Sequence, residues 1–155
     1  MELKQIFSPS SIILNLESTD KDELFEEMVE AVHTFKPEIK REEALTSIRE
    51  RESKMSTGIM HDVAVPHGSC SSVDGVVGAI GISRKGIDYD ALDKAPVHFV
   101  FLLLSNVEET EKHLSALKLL ASVLQSPEFI KEIFVKETPQ DVYNVLCEYE
   151  SKIDN

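Results

Sequence analysis

"APVHFVFLLLS", Ala95 to Ser105, decides the fold. Only His98 interrupts the apolar sequence between Val97 and Leu104. The run is far shorter than the roughly 20 residues a membrane-spanning helix needs. Its near-continuous apolar character predicts a strand covered on both faces rather than one facing water. Working outward, "GVVGAIGIS" (Gly75–Ser83) reads as the second main strand, joined to the first by a turn around Gly86–Asp90. A sheet buried on both sides requires helices on both sides.

The flanking sequence supplies them. "SIILNLE" (Ser11–Glu17) reads as a short first strand, after which Ser18, Thr19 and Asp20 offer N-cap side chains to a helix with Leu24, Phe25, Met28, Val29 and Val32 on one stripe. Lys36-Pro37 ends that helix. A second helix over about Arg41–Ser53 buries Ala44, Leu45 and Ile48, and "VAV" (Val63–Val65) is a short strand stopped by Pro66. Three helices close the chain: Glu109–Gln125, with Leu114, Leu117, Leu120, Ala121 and Leu124 as its stripe, then Pro127–Val135 and Pro139–Ile153. Thr138-Pro139 is a good cap and first-turn pair. The expected fold is α/β: a three-layer α/β/α sandwich, a mixed β-sheet with helices on both faces.

The 155 residues suffice for a substantial core, and no repeat, low-complexity tract or long linker divides them, so one domain is expected. "MELKQIFSPS" lacks the basic start and apolar middle of a secretory signal, which points to the cytoplasm. Cys70 and Cys147 stand in unrelated contexts without a CxxC and read as reduced thiols. A formal charge of −12 disfavours nucleic acid, which draws on clustered Lys and Arg, and suits docking to a basic patch on another protein.

The residues that can carry chemistry surround "STGIMHDVAVPHGSC", Ser56–Cys70. His67 sits between a proline that fixes one dihedral and a glycine that permits unusual ones; it reads either as a solvated loop histidine or as a nucleophile with one nitrogen locked and the other free. His113 shares a helix face with Leu117, Leu120 and Leu124, so its ring points inward, either satisfied by a backbone carbonyl or facing an oxyanion. Arg51 lies three residues after Ile48 and continues that stripe to the helix end. It can fork onto phosphate oxygens or pair with Glu50 or Glu52 at the surface. His61, His67 and Cys70 are all potential zinc ligands, but their spacing matches no common zinc module. His33 and His98 read as structural.

"RERESKMSTGIMHDVAVPHG", "GIDYDALDKAPVHFVFLLLS" and "EKHLSALKLLASVL" together resemble, in order and spacing, the EIIA component of the fructose/mannitol class, including its nitrogen-regulatory branch, of the bacterial phosphoenolpyruvate-dependent sugar phosphotransferase system. The resemblance covers nearly the whole chain and implies a single EIIA type-2-like domain over residues 1–155. It implies that His67 is phosphorylated by the phosphohistidine of HPr and passes the group to an EIIB domain, commonly to a cysteine. The family's supporting histidine falls on His113 and its phosphate-side arginine on Arg51, with Thr57 and Gly58 as loop donors. No metal or organic cofactor is implied. The partners implied are phospho-HPr and EIIB, with peripheral association at the membrane EIIC complex, and the role is sugar uptake of the fructose type or, alternatively, regulation through phosphorylation-dependent binding. Met60-His61-Asp62 departs from the small-residue run usual in relatives, which stiffens the loop and brings a second imidazole towards the nucleophile.

Overall fold

The computed structural model describes residues 2–58 and 60–153. Its elements run α1 (Leu3–Ile6), a 3-10 turn (Pro9–Ser11), β1 (Ile12–Ile13), α2 (Lys21–Phe35), α3 (Arg41–Lys54), β2 (Val63–Ala64), β3 (His67–Ser69), β4 (Val76–Ile87), β5 (Val97–Ser105), α4 (Thr110–Leu124), α5 (Pro127–Phe134) and α6 (Pro139–Ser151). The five strands form one mixed sheet in the order β1-β4-β5-β2, with β3 also on β5. The central pair β4–β5 is antiparallel; β1 runs parallel to β4, and β2 and β3 run parallel to β5.

Strand β5 shows why the sheet is covered twice. Its side chains alternate: Val100, Leu102 and Leu104 enter an apolar cluster with Leu24, Met28 and Val29 of α2 and Ala44 and Ile48 of α3. Phe99, Phe101 and Leu103 enter a second cluster with Leu120 of α4, Phe129 of α5 and Leu146 of α6. Period-two alternation with apolar residues at every position from Phe99 to Leu104 gives two cores, one on each face. The sandwich with helices on both faces is therefore the fold. Local signals fix the helix starts, since the Asp20 carboxylate accepts from the Glu23 N–H at 2.9 Å and the Thr138 hydroxyl from the Asp141 N–H at 3.1 Å.

Four expectations need correction. The first strand keeps only Ile12–Ile13, although the Leu16 N–H still reaches the Ile82 carbonyl. The second main strand continues past Ser83 to Ile87 with an irregularity after Ile82, so the connection to β5 begins later than Gly86. The stripe of α4 is rotated: Ala116, Leu120, Val123 and Leu124 are buried, Leu117 is half-buried, and Leu114 and Ala121 face solvent. Leucines border the stripe on both sides, so hydrophobicity alone does not define its centre, and Ala116, Leu120, Val123 and Leu124 together enter the core. Finally, β2 ends at Ala64, ahead of Pro66, yet Pro66 does not end the pairing with β5. β2 and β3 hold the same register on β5 either side of it, with the Pro66 carbonyl accepting from Leu103 N–H at 3.1 Å. A proline without an N–H is tolerated on an edge strand.

Candidate active site

The interrupted edge strand holds His67. Its ring turns back on its own backbone, Nδ1 lying 2.8 Å from the Val65 carbonyl. A carbonyl only accepts, so Nδ1 carries the proton and Nε2 keeps the lone pair. Gly68 lets the strand approach α3: a Cβ there would stand 2.8 Å from Ser47 Oγ and 3.0 Å from the Ile48 nitrogen. The next residue is tied to the same helix, because the Ser69 N–H donates to Ser47 Oγ at 2.7 Å. His67 is thus braced between β5 and α3.

The rings of His113 and His67 face each other with centroids 5.3 Å apart. His113 is half-buried, and its Nδ1 lies 2.7 Å from Ser105 Oγ, the last residue of β5. A serine hydroxyl therefore takes the place of the backbone carbonyl as its partner. Burial is the main force that lowers the pKa of both histidines; the Arg51 charge lowers that of His67 further, while the Val65 carbonyl and Glu52 oppose this. In both rings burial thus favours the neutral form over the protonated one, and neutral imidazole is the nucleophilic form.

Arg51 reaches the site from the last turn of α3, and its Nη1 donates to the Met55 carbonyl at 2.9 Å. It takes part in no ion pair with Glu50 or Glu52. Arg51 and His67 stand on the wall between two clefts. One, of about 290 Å³, is lined mostly by polar residues, among them Ser47, Lys54, Ser69, Asn106, Thr110 and His113. The other, of about 500 Å³, is bordered by Thr57, Met60, Val65, Leu117, Leu120 and Leu124.

The two loop residues expected to donate to a phosphoryl group are already engaged. Thr57 is buried; its N–H donates to Glu52 Oε2 at 2.9 Å and its hydroxyl to Glu52 Oε1 at 2.6 Å. The Gly58 N–H donates to Ser56 Oγ at 3.2 Å, and a Cβ at Gly58 would stand 2.7 Å from that of Ala91. Both residues hold the loop in place rather than present donors to the cleft.

The second imidazole of the loop also points elsewhere. His61 is largely exposed and turns to Asp62 at 3.4 Å and Asp93 at 3.6 Å, lining neither cleft. Cys70 is fully buried with its sulfur 3.0 Å from Ser72 Oγ. Among the described residues no group of three or more His, Cys, Asp or Glu is placed to hold a metal ion. His33 and His98 have structural partners, the Ile39 carbonyl at 2.7 Å and Asp62 at 2.9 Å. Sequence reasoning missed Glu52 and Ser105. Both left a signal: Ser105 is the polar residue that closes the long apolar run, and Glu52 stands four residues after Ile48, on the same stripe from which Arg51 was read. Of that pair it is Glu52 that is buried, at 8% exposure.

Residues 5–149 match the family described as phosphoenolpyruvate-dependent sugar phosphotransferase system, EIIA 2. The chain is 30% identical over 150 residues to the fructose-specific EIIABC component of Bacillus subtilis, covering 97% of this chain and about a quarter (24%) of that longer relative. It is 26% identical to a nitrogen regulatory protein of Pseudomonas aeruginosa, over 97% of this chain and 98% of the relative. Among solved structures, nitrogen regulatory protein IIA-Ntr from Neisseria meningitidis superposes with a TM-score of 0.81 at 28% identity, covering 93% of this chain and 98% of that one. The chain belongs to the EIIA type 2 family of the phosphoenolpyruvate-dependent sugar phosphotransferase system.

Proposed function

We propose that this chain is a cytoplasmic phosphoryl carrier in which His67 takes a phosphoryl group from phospho-HPr and hands it to an EIIB component for sugar uptake of the fructose type. The observation that carries the reading is the 2.8 Å bond from His67 Nδ1 to the Val65 carbonyl, which leaves Nε2 as the reactive atom beside Arg51 and His113. In the first step the donor's N–P bond breaks as the His67 Nε2–P bond forms. In the second, the Nε2–P bond breaks as a bond to the acceptor's sulfur forms. The Nδ1 proton stays in place throughout, its carbonyl partner stabilising the charge that the phosphorylated ring acquires. Arg51 supplies positive charge to the phosphoryl oxygens, and His113 donates from Nε2 when the Ser105 hydroxyl donates to its Nδ1. These are positioning and electrostatic tasks, and transfer between two nucleophiles needs little else from the protein.

The likeness to nitrogen regulatory proteins supports a second reading, in which the same phosphohistidine controls binding to other proteins. Incubation with phosphoenolpyruvate, enzyme I and HPr tests the shared chemistry: one acid-labile, alkali-stable phosphate is expected on the chain and none on His67→Ala. Full labelling of that variant defeats the assignment. Onward transfer to a fructose-type EIIB separates uptake from regulation.

A further inference from the structure

Glu52 is the most heavily engaged polar side chain near the site, yet it faces neither cleft. Its carboxylate accepts from the Thr57 N–H and hydroxyl, from Tyr89 Oη at 3.1 Å, and pairs with Lys21 Nζ at 3.1 Å. Tyr89 is fully buried, lies 2.7 Å from Thr57 Oγ1, and packs edge-on against Phe25. Helices α2 and α3, the loop after α3 and the segment before β5 therefore meet on one carboxylate.

The bonds continue from there to the nucleophile. The Thr57 carbonyl accepts from the Val65 N–H at 3.1 Å, and the Val65 carbonyl accepts from His67 Nδ1. Glu52 fixes Thr57, Thr57 fixes the peptide of Val65, and Val65 sets which nitrogen of His67 is free. We infer that Glu52 is a positioning residue for phosphoryl transfer, setting the tautomer and orientation of His67 through Thr57 and Val65. A carboxylate suits the task because it accepts several bonds at once and so fixes a loop that carries no regular structure. Its place next to Arg51 on α3 means the same helical turn aims both the cation and the nucleophile.

The inference rests on His67 being the phosphorylated residue, and the experiment separates the two. Wild type, Glu52→Gln and Thr57→Val are compared in the enzyme I and HPr relay, and the His67 ring nitrogens are followed by ¹⁵N NMR. Glutamine keeps the size of Glu52 but turns one acceptor oxygen into a donor facing the Thr57 N–H or hydroxyl. Glu52→Gln should slow phosphoryl uptake about ten- to hundredfold, with an Nε2–H tautomer of His67 appearing that wild type lacks. Thr57→Val, which removes only the hydroxyl, should shift both readouts in the same direction by less, and it decides the matter if Glu52→Gln does not fold. Folded variants with native rates and an unchanged Nδ1–H signature overturn the inference. If wild type itself takes up no phosphate on His67, the reading of the site fails instead, while the tautomer comparison still reports on the bond chain.

Discussion

The centre of the sheet and its β2–β3 edge are built on opposite principles. At the centre, β4 and β5 pair along nearly their whole length and bury apolar side chains on both faces. At the edge, two short strands with Val65 and Pro66 between them alternate between bonding to β5 and bonding elsewhere: Pro66 accepts from Leu103, but Val65 gives its N–H to Thr57 and its carbonyl to the His67 ring. His67 sits where the ladder lapses, and there the Val65 carbonyl is free to fix its imidazole. The centre holds the two cores and the edge holds His67.

Substitutions should divide along the same line. Phe101→Ala, which empties a fully buried site at the centre, should cost about 3–5 kcal/mol in denaturant unfolding while the folded fraction still accepts phosphate. Lost labelling in protein shown to be folded would erase the distinction. At the edge, Arg51→Ala should slow transfer about a hundredfold and His113→Ala about tenfold, with little change in unfolding free energy, since each removes charge or a donor from the phosphoryl oxygens and not from the core. Native kinetics in both would remove them from the site.

The smallest effect is on pH. The pKa values of His67 and His113 lie below the ordinary 6.5 in the folded chain, so on acidification the unfolded chain takes up protons first. Their contribution to stability is therefore complete above about pH 6.5 and is lost as pH falls through that value towards the folded ones. NMR titration should place both midpoints below 6.5, and the drop in stability from pH 7 to pH 5 should be shallower in His67→Ala than in wild type. An equal or steeper drop would reverse the sign of the coupling.

How much of this was legible in the sequence follows the same division. The apolar run of β5 declares both faces of the sheet because burial there is repeated at every residue. What depends on one contact between distant residues is not declared. The four-residue α1 is held by Glu150 from the other end of the chain, which accepts from the Leu3 N–H at 2.6 Å and the Lys4 N–H at 3.1 Å. On α4, leucines on both borders of the stripe concealed its rotation. On α3, positions three and four after Ile48 both continue its stripe, so spacing leads to Arg51 while Glu52 reads only as a surface partner for it. The sequence singles out His67, His113 and Arg51 because chemistry restricts the residue type there, and the fold brings all three around one cleft. The site was illegible where a common residue does unusual work, as Thr57 does when it turns its donors inward.

The treatment of Val65, Pro66 and Ser69 has a consequence for solubility. An open strand edge is a template on which another chain can add. Here Val65 has both backbone groups occupied, Pro66 has no N–H to offer, and the Ser69 N–H is taken by Ser47. The bonds that hold the histidine also leave a neighbouring strand little to pair with, so loosening this edge both frees the His67 ring and exposes the protein to aggregation.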